Sequence, residues 1–234
     1  MVFLNAIHSN VPRAFKYKYR IDMGNRSPHR DALRILYILV AGSSPPPADN
    51  PSGAVAIFKG EVRLQAFDFW MRNPDYLADE LLDLFETTGN ERYLSEAANI
   101  FSAEEPDIRR FPMIRYRFGA YERMDDKLSM LVCRKLIKIA GRKSGDRILE
   151  NNYLLMQSAI ELSERIITEF PGLAWYAERS RLVAEIAGDL GGVALKDRQY
   201  EKSDYAATHS GGVIPPIADR VKARLDVLLA GSTS

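Results

Sequence analysis

The chain has 234 residues, 46% hydrophobic and 27% charged, which excludes a disordered, collagen-like or disulfide-stapled protein. That length supports one or two domains with a core of their own. The charge balances to a net +1, from 32 basic and 31 acidic residues, which on its face argues against a histone-like coat on nucleic acid. The only cysteine, Cys133, leaves no internal disulfide and makes a reducing compartment the default. Its longest clean apolar stretch, Ile35–Ala41, is too short for a bilayer, and the apolar start at Val2–Ile7 lacks the length of a secretory leader. A soluble cytoplasmic protein is expected.

Along residues 12–30, Phe15, Tyr17, Tyr19 and Ile21 alternate with Lys16, Lys18 and Arg20, the period-2 pattern of a strand or arm with one cationic side. Such a strand is either an edge protected by lysines or an element that tracks phosphates. Ser27-Pro28 opens a helix, and Leu33, Leu36, Tyr37 and Val40 give it one apolar face. Residues 43–53 are too rich in proline and small polar residues to continue it. A second helix is expected over Gly60–Arg72. A third opens at Pro74 after the Asn73 break and ends at Gly89. A fourth spans Arg92–Phe101.

The second half begins with Arg109, Arg110, Arg115 and Arg117 among aromatic residues. A helix follows over Tyr121–Arg134, with Leu128, Leu131 and Val132 on its apolar side. Leu136–Ala140, the turn Gly141–Gly145 and Arg147–Leu155 read as a β-hairpin with a basic tip. Further helices are expected over Gln157–Phe170, Trp175–Leu190 and Ile217–Leu229.

Charge counted by segment is far from uniform: net −8 over residues 59–108 and +8 over residues 109–143. The positive block coincides with a helix, a hairpin and a further helix, the order of the second half of a winged helix. The expected fold is mainly α. Residues 1–108 form a helical N-terminal unit with a basic strand or arm, 109–190 a winged-helix-like unit with a helix–β-hairpin–helix core, and 191–234 a C-terminal tail helix, all in one body. Candidate nucleic-acid contacts are Arg115, Arg117, Arg123, Lys127, Arg134 and Lys135, with Arg142, Lys143 and Arg147 on the wing, each neutralising phosphate charge. The same block could instead pair with the acidic segment, within the chain or across a homodimer.

Catalytic constellations are weak. His8, His29 and His209 are scattered, and no Cys/His cluster has the spacing of a zinc site. Neither a phosphate-cradling Gly-x-x-x-x-Gly-Lys-Ser/Thr loop nor a Gly-x-Gly-x-x-Gly loop occurs. Cys133 reads as a buried structural thiol. Asp75, Asp79 and Asp83 share one helical face and read as a solvated acidic surface open to a partner rather than a cation site. No catalytic residue, cofactor or metal is expected.

Three stretches resemble the middle components of bacterial three-component ABC ATPase systems. Leu33-Arg-Ile-Leu-Tyr37, with the run Asp68–Leu77 written Asp-Phe-x-x-Arg-x-Pro-x-x-Leu, resembles their first helical unit. Arg115-Tyr-Arg-Phe-Gly-Ala-Tyr121 and Leu131-Val-Cys-Arg-Lys-Leu-Ile137 resemble the stretch leading into the wing. Leu195-Lys196 with Tyr200-Glu201 resembles the closing segment. The chain departs from the pattern at Phe118 for tyrosine, Ala120 for proline and Lys135 for glycine, and reads Leu155-Met-Gln-Ser-Ala159 after the wing. The resemblance implies a non-enzymatic winged-helix adaptor that bridges a large ABC ATPase and a third co-encoded component, or helps load the complex on DNA, in mobile-element or phage conflict. Candidate partner contacts are Asp75, Asp79, Asp83, Lys196 and Tyr200. A homodimeric winged-helix transcriptional regulator binding duplex DNA is the alternative.

Overall fold

The computed structural model describes residues 28–50, 52–102, 113–116, 119–144 and 147–232. Most of the expected basic strand or arm, and Arg117, lie outside the described residues. In chain order the elements are α1 (Pro28–Ala41), β1 (Ala56–Lys59), α2 (Glu61–Arg72), α3 (Pro74–Thr88), α4 (Glu91–Ser102), β2 (Ile114–Tyr116), β3 (Gly119–Tyr121) and α5 (Asp125–Cys133). There follow β4 (Ile137–Ser144), β5 (Arg147–Leu155), α6 (Gln157–Glu169), a 3-10 turn at Pro171–Leu173, α7 (Ala174–Ala187), α8 (Gly192–Tyr200), α9 (Ser203–Ala207) and α10 (Ala218–Ser232). The protein is mainly helical, with a small antiparallel sheet.

Helix α1 starts on Pro28, whose fixed φ suits a first turn, and carries Asp31 at its positive end. It buries more than one face: Ala32, Ile35, Leu36, Tyr37, Ile38 and Leu39 are all enclosed, because α2, α5, α6 and α7 surround it. Tyr37 donates its hydroxyl hydrogen to the Ser163 carbonyl of α6 at 2.9 Å, which gives the buried phenol its partner. Helix α3 begins on Pro74 and ends at Gly89, which takes the left-handed φ of 68° common after a helix.

The main sheet has the order β1-β5-β4, all antiparallel. Strand β1 carries none of the alternation that marks longer strands. It is four residues placed between the proline loop and α2, and it pairs Phe58 with Tyr153 of β5. Gly141 and Arg142 belong to strand β4, which runs to Ser144, so the hairpin tip is narrower than the glycine spacing suggests. Helix α5 starts at Asp125 rather than Tyr121, because Tyr121 is held in the β2–β3 ladder opposite Ile114. Buried side chains from Ala32 to Leu225 form one apolar cluster spanning the N-terminal, hairpin and C-terminal segments.

Candidate functional site

Two ionic clusters take up Lys127 and the α3 aspartates among the charged residues that the sequence pattern singles out. The first lies between α1, α2 and α5. Arg34 Nε sits 2.6 Å from Asp68 Oδ1, and Arg34 Nη1 sits 2.5 Å from Asp31. Arg72 bonds Glu122 and lies 3.4 Å from Asp68, and Lys127 Nζ lies 2.9 Å from Glu122. Asp68 is fully enclosed between Phe67 and Phe69, so only its cations keep it ionised. Burial pushes its carboxyl up, but Arg34, Arg72 and Lys127 outweigh that and hold it below the usual carboxylate range.

Lys127 is therefore not a surface cation. It is buried with its ammonium committed to Glu122. A phosphate could reach it only by breaking that pair. The reason is helical spacing: Lys127 lies four residues before Leu131, on the side of α5 that faces the core.

The second cluster lies on α3. Its acidic face is covered by the C-terminal segment at Asp75 and Asp79, while Asp83 stays partly exposed at the rim. Asp75 accepts the backbone N–H of Ile217 at 2.6 Å. Asp79 is buried and lies 2.8 Å from Arg224, 3.1 Å from Lys202 and 3.4 Å from Arg220. Asp83 bonds Lys202 and lies 2.7 Å from Arg224, and Glu80 lies 2.6 Å from Arg198. Burial pushes the Asp79 carboxyl up, and Lys202, Arg220 and Arg224 more than reverse it; at Glu80 burial wins and the carboxyl is raised. The three aspartates are thus the docking surface for α8–α10 of the same chain.

Arg115 is also occupied. Its guanidinium lies over the Tyr200 ring, 4.8 Å from the centroid, and bonds the Thr208 carbonyl. Tyr200 packs edge-on against Tyr205, whose hydroxyl accepts the Ala120 N–H. This arrangement ties Tyr200 and its neighbour Lys196 on α8 to β2 and β3, and Lys196 lies against Gly119.

Of the candidate cations, Arg123, Arg134 and Lys135 stay on the surface. Arg123 is exposed and paired with Asp125 at 3.1 Å. Arg134 and Lys135 are exposed at the end of α5, and Lys138 is exposed on β4 with its ammonium 2.9 Å from the Ser52 carbonyl. Arg142, Lys143 and Arg147 lie on the hairpin arms, with side chains outside the described ones. Cys133 is exposed, not buried, because Leu128 and Leu131 turn the opposite side of α5 inward.

Arg34, Asp68 and Arg72 fall inside the stretches that carry the resemblance, Leu33–Tyr37 and Asp68–Leu77, whereas Glu122 lies in no motif. The physical signal of a buried ionic role is charge inside an apolar run, as in Phe67-Asp68-Phe69. Among the described residues, no group of three or more His, Cys, Asp and Glu is placed to hold a metal ion, and no helix is long and apolar enough to cross a membrane. Comparison with protein-family models, curated proteins and solved structures gave no match.

Proposed function

We propose that the chain is a non-enzymatic adaptor that docks on protein partners through a winged-helix core. The order α1, β1, α2, α5, β4, β5 with strand order β1-β5-β4 supports that core, with α3, α4 and the β2–β3 ladder inserted before α5. The left-handed φ of 58° at Lys135 also supports the family resemblance, since the resembled pattern has glycine there.

One observation carries the choice of a protein partner over a DNA-reading role. In such a core, α5 would be the groove-reading helix. Its exposed residues include Asp125, Asp126, Ser129, Val132 and Cys133. Two carboxylates and a valine oppose a phosphate backbone and suit a protein surface. The resemblance names the partner class: a large ABC ATPase and a third component encoded beside it.

Co-expression with those neighbours tests the reading. The expected result is a complex that co-purifies at physiological salt, with weak duplex binding by the chain alone. Failure to form any complex, together with tight, steeply salt-dependent duplex binding, overturns it in favour of a DNA-binding regulator.

A further inference from the structure

We propose that the free edge of β4 takes up an extended, acidic segment of the partner protein as a fourth strand of the sheet. This rests on the adaptor reading and names its docking surface.

The first ground is an edge with no partner strand among the described residues. Strand β4 is the last strand of the sheet, bonded to β5 on one side. The ladder fixes which groups face outward. Met156 donates its N–H to the Leu136 carbonyl, so residues 136, 138 and 140 exchange bonds with β5. Ile137, Ile139 and Gly141 then direct their N–H and C=O groups away from the sheet. Among the described residues nothing pairs with them.

The second ground is that the middle of the edge, residues 137–141, carries little of the usual protection, since the register shift and the Arg142 and Lys143 positions lie at the hairpin end. Proteins blunt such edges with proline or with charges projecting over them. Strand β4 contains no proline, and the Lys138 ammonium reaches back to the Ser52 carbonyl. Apolar side chains lie beside the edge instead: Ile139 is 41% exposed, and Val132 on α5 is 38% exposed.

The third ground is charge. Residues 134–144 carry Arg134, Lys135, Lys138, Arg142 and Lys143 and no acidic residue. A second copy of β4 would set these cations against each other. A strand alternating acidic and apolar side chains would place its acids near Arg134 and Lys135 and its apolar groups near Ile139 and Val132. Duplex DNA would meet the cations but also Asp125 and Asp126, and would leave the backbone edge and the apolar pair unused.

The probe is a fluorescein-labelled peptide of roughly eight residues alternating Glu and Val, titrated into the full chain by fluorescence anisotropy. Saturable binding that weakens with salt is expected. N-methylation of alternate peptide amides should cost about tenfold or more, since it removes the ladder without touching the protein. Ile139→Pro should do the same, because it deletes an outward N–H and no bond to β5, with circular dichroism confirming the fold. Arg134→Glu with Lys135→Glu should weaken binding severalfold.

Absence of saturable binding, indifference to N-methylation, or undiminished binding by a folded Ile139→Pro variant overturns the proposal. A chain dimer that Ile139→Pro dissolves, or duplex DNA that competes with the peptide and binds more tightly, overturns it too by giving the edge another occupant. If the neighbours co-purify while the peptide fails, the edge assignment is wrong and the adaptor reading stands; if no complex forms, the adaptor reading falls by its own test.

Discussion

Arg34 and Asp68 meet across the α1–α2 interface with Nε 2.6 Å from Oδ1, and both side chains are enclosed. The pair is positioned to set the angle between the two helices, and Glu122 extends the network to the entry of α5 through Arg72 and Lys127. Removing one member strands the others. Asp68→Ala leaves two buried guanidinium groups short of an acceptor, and about 3–5 kcal/mol of unfolding free energy should be lost. Urea denaturation followed by circular dichroism measures it; a loss below about 1 kcal/mol would mean that water solvates the cluster.

The same cluster predicts acid sensitivity. The Asp68 and Asp79 carboxyls are both held below their ordinary range by neighbouring cations. A depressed carboxylate contributes stability that is complete above its unfolded pKa near ~4 and is lost as pH falls through the folded value. Glu80, raised by burial, acts in the opposite sense, costing stability as pH rises through its folded value. Glu61 is raised by burial as well, so two carboxyls are depressed and two raised. The raised pair acts only as pH rises above the unfolded range near ~4, so unfolding free energy should still fall below about pH 4, and Asp68→Asn should flatten that slope. An unchanged slope in the variant would remove Asp68 from the account.

On α3, burial separates two aspartates four residues apart. Asp79 is 2% exposed and holds three cations, whereas the Asp83 side chain is 44% exposed. Asp79→Ala should cost about 3 kcal/mol or more and loosen α10, read as faster amide exchange over Val221–Leu228. Asp83→Ala should cost less than about 1 kcal/mol, and less still in high salt. Equal effects would mean that the C-terminal segment is held by Val221 and Leu225 packing alone.

Much of this architecture is legible along the chain, and the limits have physical causes. Periodicity and caps mark α3 to the residue, since Pro74 and Gly89 bracket a clean apolar stripe. Strand β1 is not legible because four residues, Ala56–Lys59, are too few for a pattern, and only pairing with β5 makes them a strand. The acidic stripe on α3 is legible as a face, but its partners Lys202, Arg220 and Arg224 lie more than a hundred residues away, and no local signal links them. Lys127 counts as a cation in a basic block until its spacing to Leu131 turns it inward. Net charge describes the surface only after such buried pairs are set aside.

Lys135 holds a φ of 58°, among the described residues the sole non-glycine with positive φ. The conformation ends α5 and aims the chain into β4: Leu136 donates its N–H to the Leu131 carbonyl at 3.0 Å. A side chain pays a steric penalty there that glycine avoids. Lys135→Gly should therefore raise stability by about 1 kcal/mol, or roughly 2–4 °C in Tm for a chain of this size, while Lys135→Ala gives no gain. A lower Tm for the glycine variant would show that the lysine stem supplies packing that outweighs the strain.

Gly191 and Gly192 are adjacent but should respond oppositely to a methyl group. A Cβ on Gly192 would lie 2.6 Å from the Arg63 backbone nitrogen and 2.7 Å from Val62 Cβ, where the first turn of α8 meets α2. A backbone neighbour cannot swing aside, so α8 must shift. That shift would also disturb the Gln199 side-chain bond to the Ala66 carbonyl at 3.2 Å. Gly192→Ala should cost about 1–3 kcal/mol. A Cβ on Gly191 meets nothing within 4 Å, and its φ of −72° suits any residue. Gly191→Ala should stay within about 0.5 kcal/mol of the parent. Parallel thermal melts of the two variants test the α2–α8 contact directly. A tolerated Gly192→Ala would mean that the contact is looser than a Cβ at 2.6 Å allows, and that α8 can move independently of α2.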